Sequence, residues 1–244
     1  MFPLPANSKA AIFHFRLNHY NISVFFNGRL QKAEEKDTAM STLFAKSNDP
    51  IKEPPIQVQY EEWLIGEAVK GVEGGNVLAA AVDKGYDFIK SKLNKTTTQP
   101  IFIFGYSRGG VAAAMLAQKI NKAKDGDLKD LKFTVELVAL IDPVTTNVSG
   151  KEEQKFFDQK TFSQENPTKI NANFTFGYYQ MQNHTKLGRL WIKNASGPKN
   201  EFLTDVKEKG KTHEELGLAS SPAIPALIAY ANEKCKIDGK PLFK

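Results

Sequence analysis

The stretch Gln99 to Lys119, QPIFIFGYSRGGVAAAMLAQK, constrains the fold more than any other part of the chain. Ile101-Phe102-Ile103-Phe104 is an apolar, β-favouring run suited to burial on both faces of a sheet, and Val111 to Ala117 are helix formers. Between them lies Gly105-Tyr106-Ser107-Arg108-Gly109-Gly110, so the spacing predicts strand, tight turn and helix with Ser107 at the turn. In a G-x-S-x-G turn, side chains at the flanking positions would collide with the neighbouring strand and helix; glycine removes the collision and leaves the serine Oγ exposed. The following helix points its first N–H groups and positive dipole end at the charge that develops during attack. Glycines and a serine also make an ordinary βα turn; the flanking strand and helix favour the nucleophile reading. A phosphate loop does not fit, because no G-K-[ST] follows Gly105 and no G-x-G-x-x-G is present.

The rest of the chain reads as alternating strands and helices. Met1 to Ala11 form an irregular lead-in with Pro3 and Pro5, and Ile22 to Phe26 is the first strand, closing on Asn27-Gly28-Arg29. A glycine turn at the carboxyl end of a strand is where open α/β sheets place their ligands. A helix is expected over Thr38 to Lys46 and a strand over Ile56 to Tyr60, after Pro54-Pro55. Gly66 to Gly75 reads as a glycine-rich loop whose spacing matches no known nucleotide cradle, and Asn76 as the N-cap of a helix running to Leu93. Phe133 to Ile141 is a strand, Asn173 to Gln182 another, Arg189 to Lys193 a candidate, and Glu201 to Val206 the last, before a helix at Pro222 to Lys234. Residues 150–198 are a candidate lid or insertion, with Phe156 to Gln164 a candidate flap. The fold class expected is α/β, a mostly parallel central sheet with helices on both faces, in one domain spanning 1–244.

Composition narrows the function classes. The 41 % hydrophobic and 25 % charged content is that of an ordinary globular chain, and no apolar run approaches the ~18 residues of a membrane span. The single Cys235 rules out an internal disulfide, and His14, His19, His184 and His213 form no H-E-x-x-H or close His/Cys pair, so no metal or other cofactor is expected. A net charge of +6 favours contact with anionic surfaces such as a membrane, while the absence of a basic stripe with interleaved aromatics argues against nucleic acid. The N-terminus lacks the pattern of a secretory signal, which points to the cytoplasm of the producing cell, with any export by another route.

Two further residues complete a chemical pattern. Asp142 follows the strand after the Ser107 helix, so its carboxylate falls at the same rim of the sheet, where a base-orienting acid belongs; the alternative is an aspartate starting the turn at Pro143. His213, in the loop after the last strand, supplies the base in the order Ser…Asp…His. His184 is its rival; His14 and His19 precede the first strand and break the order.

With these residues in place the chain resembles the α/β-hydrolase superfamily, and more narrowly the family that includes catalytic domains of type VI secretion phospholipase effectors. The resemblance is carried by Phe25-Phe26-Asn27-Gly28-Arg29 for an FFDGT-like turn, by the elbow Gly105 to Gly110, by Ile141-Asp142, and by Lys211 to Gly217 for a late G-x-H-S-D-[VI]-G-G loop. Asn27 stands where the family has aspartate, and the histidine loop lacks the paired glycines. The resemblance implies a serine ester hydrolase with Ser107, Asp142 and His213 as catalytic residues and an ester or lipid substrate. Its oxyanion would be held by the Arg108 N–H and one from Gly28 or Arg29. A thioesterase or peptidase using the same residues, and a non-catalytic interaction protein on the same scaffold, remain alternatives.

Overall fold

A computed structural model describes residues 21–28, 31, 35–49, 51–52, 54–56, 74–145, 167–180, 189–195, 203–208, 210–236 and 239–244. The strands are β1 (Ile22–Phe26), β2 (Ile51–Lys52), β3 (Gln99–Tyr106), β4 (Phe133–Ile141), β5 (Thr168–Ile170), β6 (Phe174–Gln180), β7 (Ile192–Asn194) and β8 (Leu203–Glu208). The helices are α1 (Ala39–Lys46), α2 (Gly74–Lys92), α3 (Arg108–Ala123), α4 (His213–Leu216) and α5 (Ala223–Lys234). Six strands form one sheet in the order β2-β1-β3-β4-β6-β8, and every neighbouring pair is parallel. β5 and β7 pair separately, also in parallel.

Parallel strands need crossovers, and the crossover helices cover both faces. Alternate residues of each strand therefore go into two cores. Ile22, Val24 and Phe26 with Ile101 and Ile103 pack under α2 and α3, while Phe25, Phe102 and Phe104 pack under α1 and α5. Phe104 stacks on Phe25 at 4.8 Å and meets the edge of Phe243 at 5.6 Å. This is the expected α/β class, a parallel central sheet with helices on both faces. The order reverses between β1 and β3, a topological switch point whose carboxyl ends carry Gly28 and Ser107.

The structure departs from the sequence expectations at several edges. The second strand, on the edge beside β1, is Ile51–Lys52, ahead of Pro54-Pro55, and Ile56 makes only an isolated bridge to Phe26; 57–60 lie outside the described residues. Two-residue strands are too short for any periodicity to show. Helix α2 starts at Gly74, so Asn76 sits inside its first turn and is not its cap; residues 66–73 are outside the described set. Packing of α2 on α3 and β1, through Leu78, Val82 and Ile89, sets that helix and overrides the local preference of glycine. The candidate strand at Arg189 becomes Ile192–Asn194, paired with a β5 that the sequence pattern did not reveal, and the last strand lies at Leu203–Glu208. Within 150–198, Phe174–Gln180 is an interior strand of the main sheet, whereas the flap candidate at 156–164 lies outside the described residues.

β4 carries a bulge. Ile101 pairs with Val135 and Phe102 with Leu137, so Glu136 is the extra residue. Its half-buried carboxylate accepts a 2.6 Å hydrogen bond from Asn173 Nδ2, yet burial outweighs that bond and pushes its pKa above the ordinary 4.5. A raised carboxyl pKa means that the folded state holds the proton more tightly than the unfolded one. Glu136 therefore contributes stability that is present below pH 4.5 and lost as pH rises through the raised value. Glu136→Gln removes that loss, so thermal denaturation should show the variant more stable than wild type at pH 8 and equal to it at pH 4. A deficit at pH 8 would show that the ionised carboxylate is a net stabiliser.

Candidate active site

Ser107 lies between β3 and α3 with φ 55° and ψ −124°, a left-handed conformation that a non-glycine residue adopts only when its surroundings impose it. Three glycines impose it. A Cβ on Gly105 would lie 2.2 Å from the Gly109 carbonyl oxygen, one on Gly109 would lie 2.3 Å from Asn27 O and 2.4 Å from Phe26 O, and one on Gly110 would lie 2.8 Å from Pro143 Cβ. The first turn of α3 can thus press against the ends of β1 and β3, directing the Ser107 side chain at the rim toward His213, where the residue is 6 % exposed and not open as the turn pattern predicts. Gly110 N–H donates to Ser107 O at 3.0 Å, and Arg108 is the first residue of α3.

Ser107, His213 and Asp142 form a hydrogen-bonded row. His213 Nε2 is 2.7 Å from Ser107 Oγ, and His213 Nδ1 is 2.7 Å from Asp142 Oδ2. With Asp142 as a carboxylate, which can only accept, Nδ1 carries the proton and Nε2 is left to accept from the serine hydroxyl. Asp142 is fully buried and has φ 38°; its backbone N–H pairs with Tyr178 O at 2.7 Å. Its other oxygen, Oδ1, accepts from Arg189 Nε at 3.1 Å and Gln180 N–H at 3.4 Å. Arg189 is delivered by the chain approaching β7, where it bridges Val144 and where Leu190 N–H donates to Pro143 O.

His213 is the first residue of the short α4. Thr212 caps this helix in a capping box, its hydroxyl accepting from Glu215 N–H and the Glu215 carboxylate accepting from Thr212 N–H at 2.7 Å. Below the imidazole lies Tyr106, its ring stacked at 5.0 Å and its hydroxyl donating to His213 O at 2.6 Å.

Gly28 N–H, expected to face the developing charge, donates instead to Gln31 Oε1 at 3.0 Å, and Gln31 Nε2 reaches on to Gly217 O. A carboxamide can satisfy a donor and an acceptor at once, which is why Gln31 bridges the two loops. Arg29, His184, His14 and His19 lie outside the described residues. Among the described residues no group of three potential metal-binding side chains is gathered, and no helix is long and apolar enough to cross a membrane. Sequence reading missed Gln31, Tyr106 and Arg189 as site residues. The T-x-x-E of Thr212 and Glu215 was a readable helix-start signal for the His213 segment. No local signal marks Arg189 or Gln31, which reach Asp142 and Gly217, 47 and 186 residues away.

No protein family model matches the chain, and no curated protein matches it. Among solved structures, the chain is similar to a Tle1 effector bound to the VgrG spike of a type 6 secretion system (12 % identity, TM-score 0.41, covering 81 % of this chain and 51 % of that one). It is similar to a YdeN-like hydrolase from Pectobacterium atrosepticum (11 % identity, TM-score 0.38, 79 % and 80 % covered). A third is an uncharacterised protein from Pseudomonas aeruginosa (10 % identity, TM-score 0.47, 91 % and 46 % covered). The chain spans about half the length of the first and third of these.

The tight packing at the elbow can be tested. Alanine is worth about 1 kcal/mol more than glycine inside a helix, so Gly109→Ala would stabilise α3 if space allowed. Its Cβ meets main-chain oxygens that cannot rotate away, and overpacking of that kind costs roughly 1–3 kcal/mol or more. Gly109→Ala should therefore lower Tm, by roughly 2–4 °C for each kcal/mol lost. Gly126→Ala, with nothing nearer than Ala123 O at 3.7 Å, should leave Tm nearly unchanged. A Gly109→Ala protein as stable as wild type would contradict the close approach.

Proposed function

We propose that the protein is a serine hydrolase that cleaves ester bonds. The observation that carries this reading is the row of two 2.7 Å hydrogen bonds joining Ser107, His213 and Asp142, residues 106 and 71 positions apart in sequence. Ser107 Oγ attacks the acyl carbon while His213 Nε2 takes its proton, giving a tetrahedral oxyanion and an imidazolium held by Asp142. The oxyanion is stabilised by Arg108 N–H at the positive end of α3 and by a donor from the β1 turn. Collapse of the tetrahedral species breaks the ester C–O bond, and the imidazolium gives its proton to the departing alcohol. Water then attacks the acyl-enzyme with His213 again as base, releasing the acid and restoring Ser107.

Buried Asp142 contributes by holding the imidazole in one tautomer and offsetting its positive charge. Arg189 and the Gln180 N–H hold Asp142 in turn. A lipid or phospholipid is the substrate class implied by the sequence resemblance, and the +6 charge suits an anionic membrane surface. One observation favours a second reading, a non-catalytic interaction protein: Gly28 N–H is engaged by Gln31. On the enzyme reading, Gly28 serves as the donor only after that carboxamide moves aside.

Labelling with a fluorophosphonate, together with hydrolysis assays on phospholipid, short acyl ester, thioester and peptide substrates, tests the reading. Wild type should take the label and hydrolyse esters, while Ser107→Ala and His213→Ala each lose on the order of 10⁴-fold or more in kcat. Thioester or peptide cleavage without ester cleavage would move the substrate class. An unlabelled, inactive but folded wild type would favour the non-catalytic reading, and full activity in His213→Ala would remove His213 as the base.

A further inference from the structure

We propose that Tyr106, the residue preceding the nucleophile, is the positioning residue that holds the His213 imidazole in line with Ser107; as a role in catalysis this rests on the hydrolase reading. Each part of the Tyr106 side chain meets something that bears on His213. Its hydroxyl donates to the His213 backbone oxygen at 2.6 Å, and its ring stacks on the imidazole with centroids 5.0 Å apart and planes 25° apart. The phenol is nearly buried, at 5 % exposure, and burial, with Asp142 and Glu214 adding to it, pushes its pKa upward, so it remains a donor throughout the neutral range.

The surroundings have left room for this ring. A Cβ on Gly28 would lie 2.6 Å from Tyr106 Cδ1, and one on Gly217 would lie 2.4 Å from Tyr106 Cε1, so the phenol sits between the β1 turn and the loop after α4 in a slot that only glycine leaves open. Gln31 spans the same two loops, from Gly28 N–H to Gly217 O. The main chain of the His213 segment is otherwise tied at its far end to the start of α1, where Ala39 N–H donates to Gly217 O and Thr38 bridges Leu218. Those contacts fix the segment without fixing where the ring points. Asp142 holds the ring at Nδ1 and Tyr106 holds its face and its main-chain oxygen from the end of β3, so the dipeptide Tyr106-Ser107 both presents the nucleophile and sets the base against it. A base must lie within about 2.6–3.2 Å of the heavy atom whose proton it takes, so a small drift of the His213 main chain would break the contact with Oγ.

Tyr106→Phe keeps the ring in its slot and removes only the donor. The expected result is a kcat about tenfold lower, the worth of one hydrogen bond realised in the transition state, with KM within twofold of wild type. Fluorophosphonate labelling should slow by the same factor, with Tm within a few degrees. A purely structural tyrosine would lower Tm or raise KM and leave kcat alone; that result, or a wild-type kcat, overturns the proposal. A readout independent of activity is the downfield proton NMR resonance of the His213 Nδ1–H bonded to Asp142, which should shift or broaden in Tyr106→Phe. An unchanged resonance overturns the proposal even if wild type hydrolyses nothing. A shifted resonance in an inactive wild type would support the positioning contact while rejecting the hydrolase reading.

Discussion

The approach of the first turn of α3 to the carboxyl ends of β1 and β3 is the contact on which the rest of the site depends. Gly109 touches the carbonyl oxygens of Phe26 and Asn27, and Gly105 touches Gly109, at separations no Cβ allows. Because the helix starts so close to the strand, the chain reverses in a single residue, and Ser107 takes a backbone conformation of the kind that costs of order 1–3 kcal/mol. The two apolar cores that the sheet separates supply the stabilisation that offsets this cost. The same approach aims the helix N-terminus at the place where negative charge would develop in an attack by Ser107.

The parallel sheet supplies the other partners at the same rim. Since every strand of the main sheet runs the same way, the residues following β1, β3, β4 and β8 all emerge at one edge: Gly28, Ser107, Asp142 and the His213 segment. The order reversal between β1 and β3 opens a crevice there, because the connections from these strands lead away to opposite sides. Asp142 is accommodated fully buried since its carboxylate accepts from His213, Arg189 and the backbone of Gln180; a buried carboxylate lacking such partners would be prohibitively costly. The His213 segment has its own cap, and its ring is bonded to Asp142 and stacked on a tyrosine from β3.

Much of this was legible in the sequence, and the reason is locality. The strand, turn and helix around Ser107 depend on residues within twenty positions of one another, and the apolar runs of β1, β3 and β4 follow from burial on both faces. Asp142 and His213 were legible one step less directly, through the order of strand ends around a parallel sheet. β2, with two residues, and β5, with three, offered no pattern to read, and α2 starts at Gly74 although glycine is locally a poor helix former.

What the linear chain carries is the strand–serine–helix elbow, the two-sided burial of its strands, and the candidate order of nucleophile, acid and base. What only folding decided is which side chains complete the site. Arg189 on Asp142, Gln31 on Gly217, and Tyr106 beneath His213 are contacts between residues 47 to 186 positions apart. Their geometry depends on the register and twist of the whole sheet, which no short window of sequence contains.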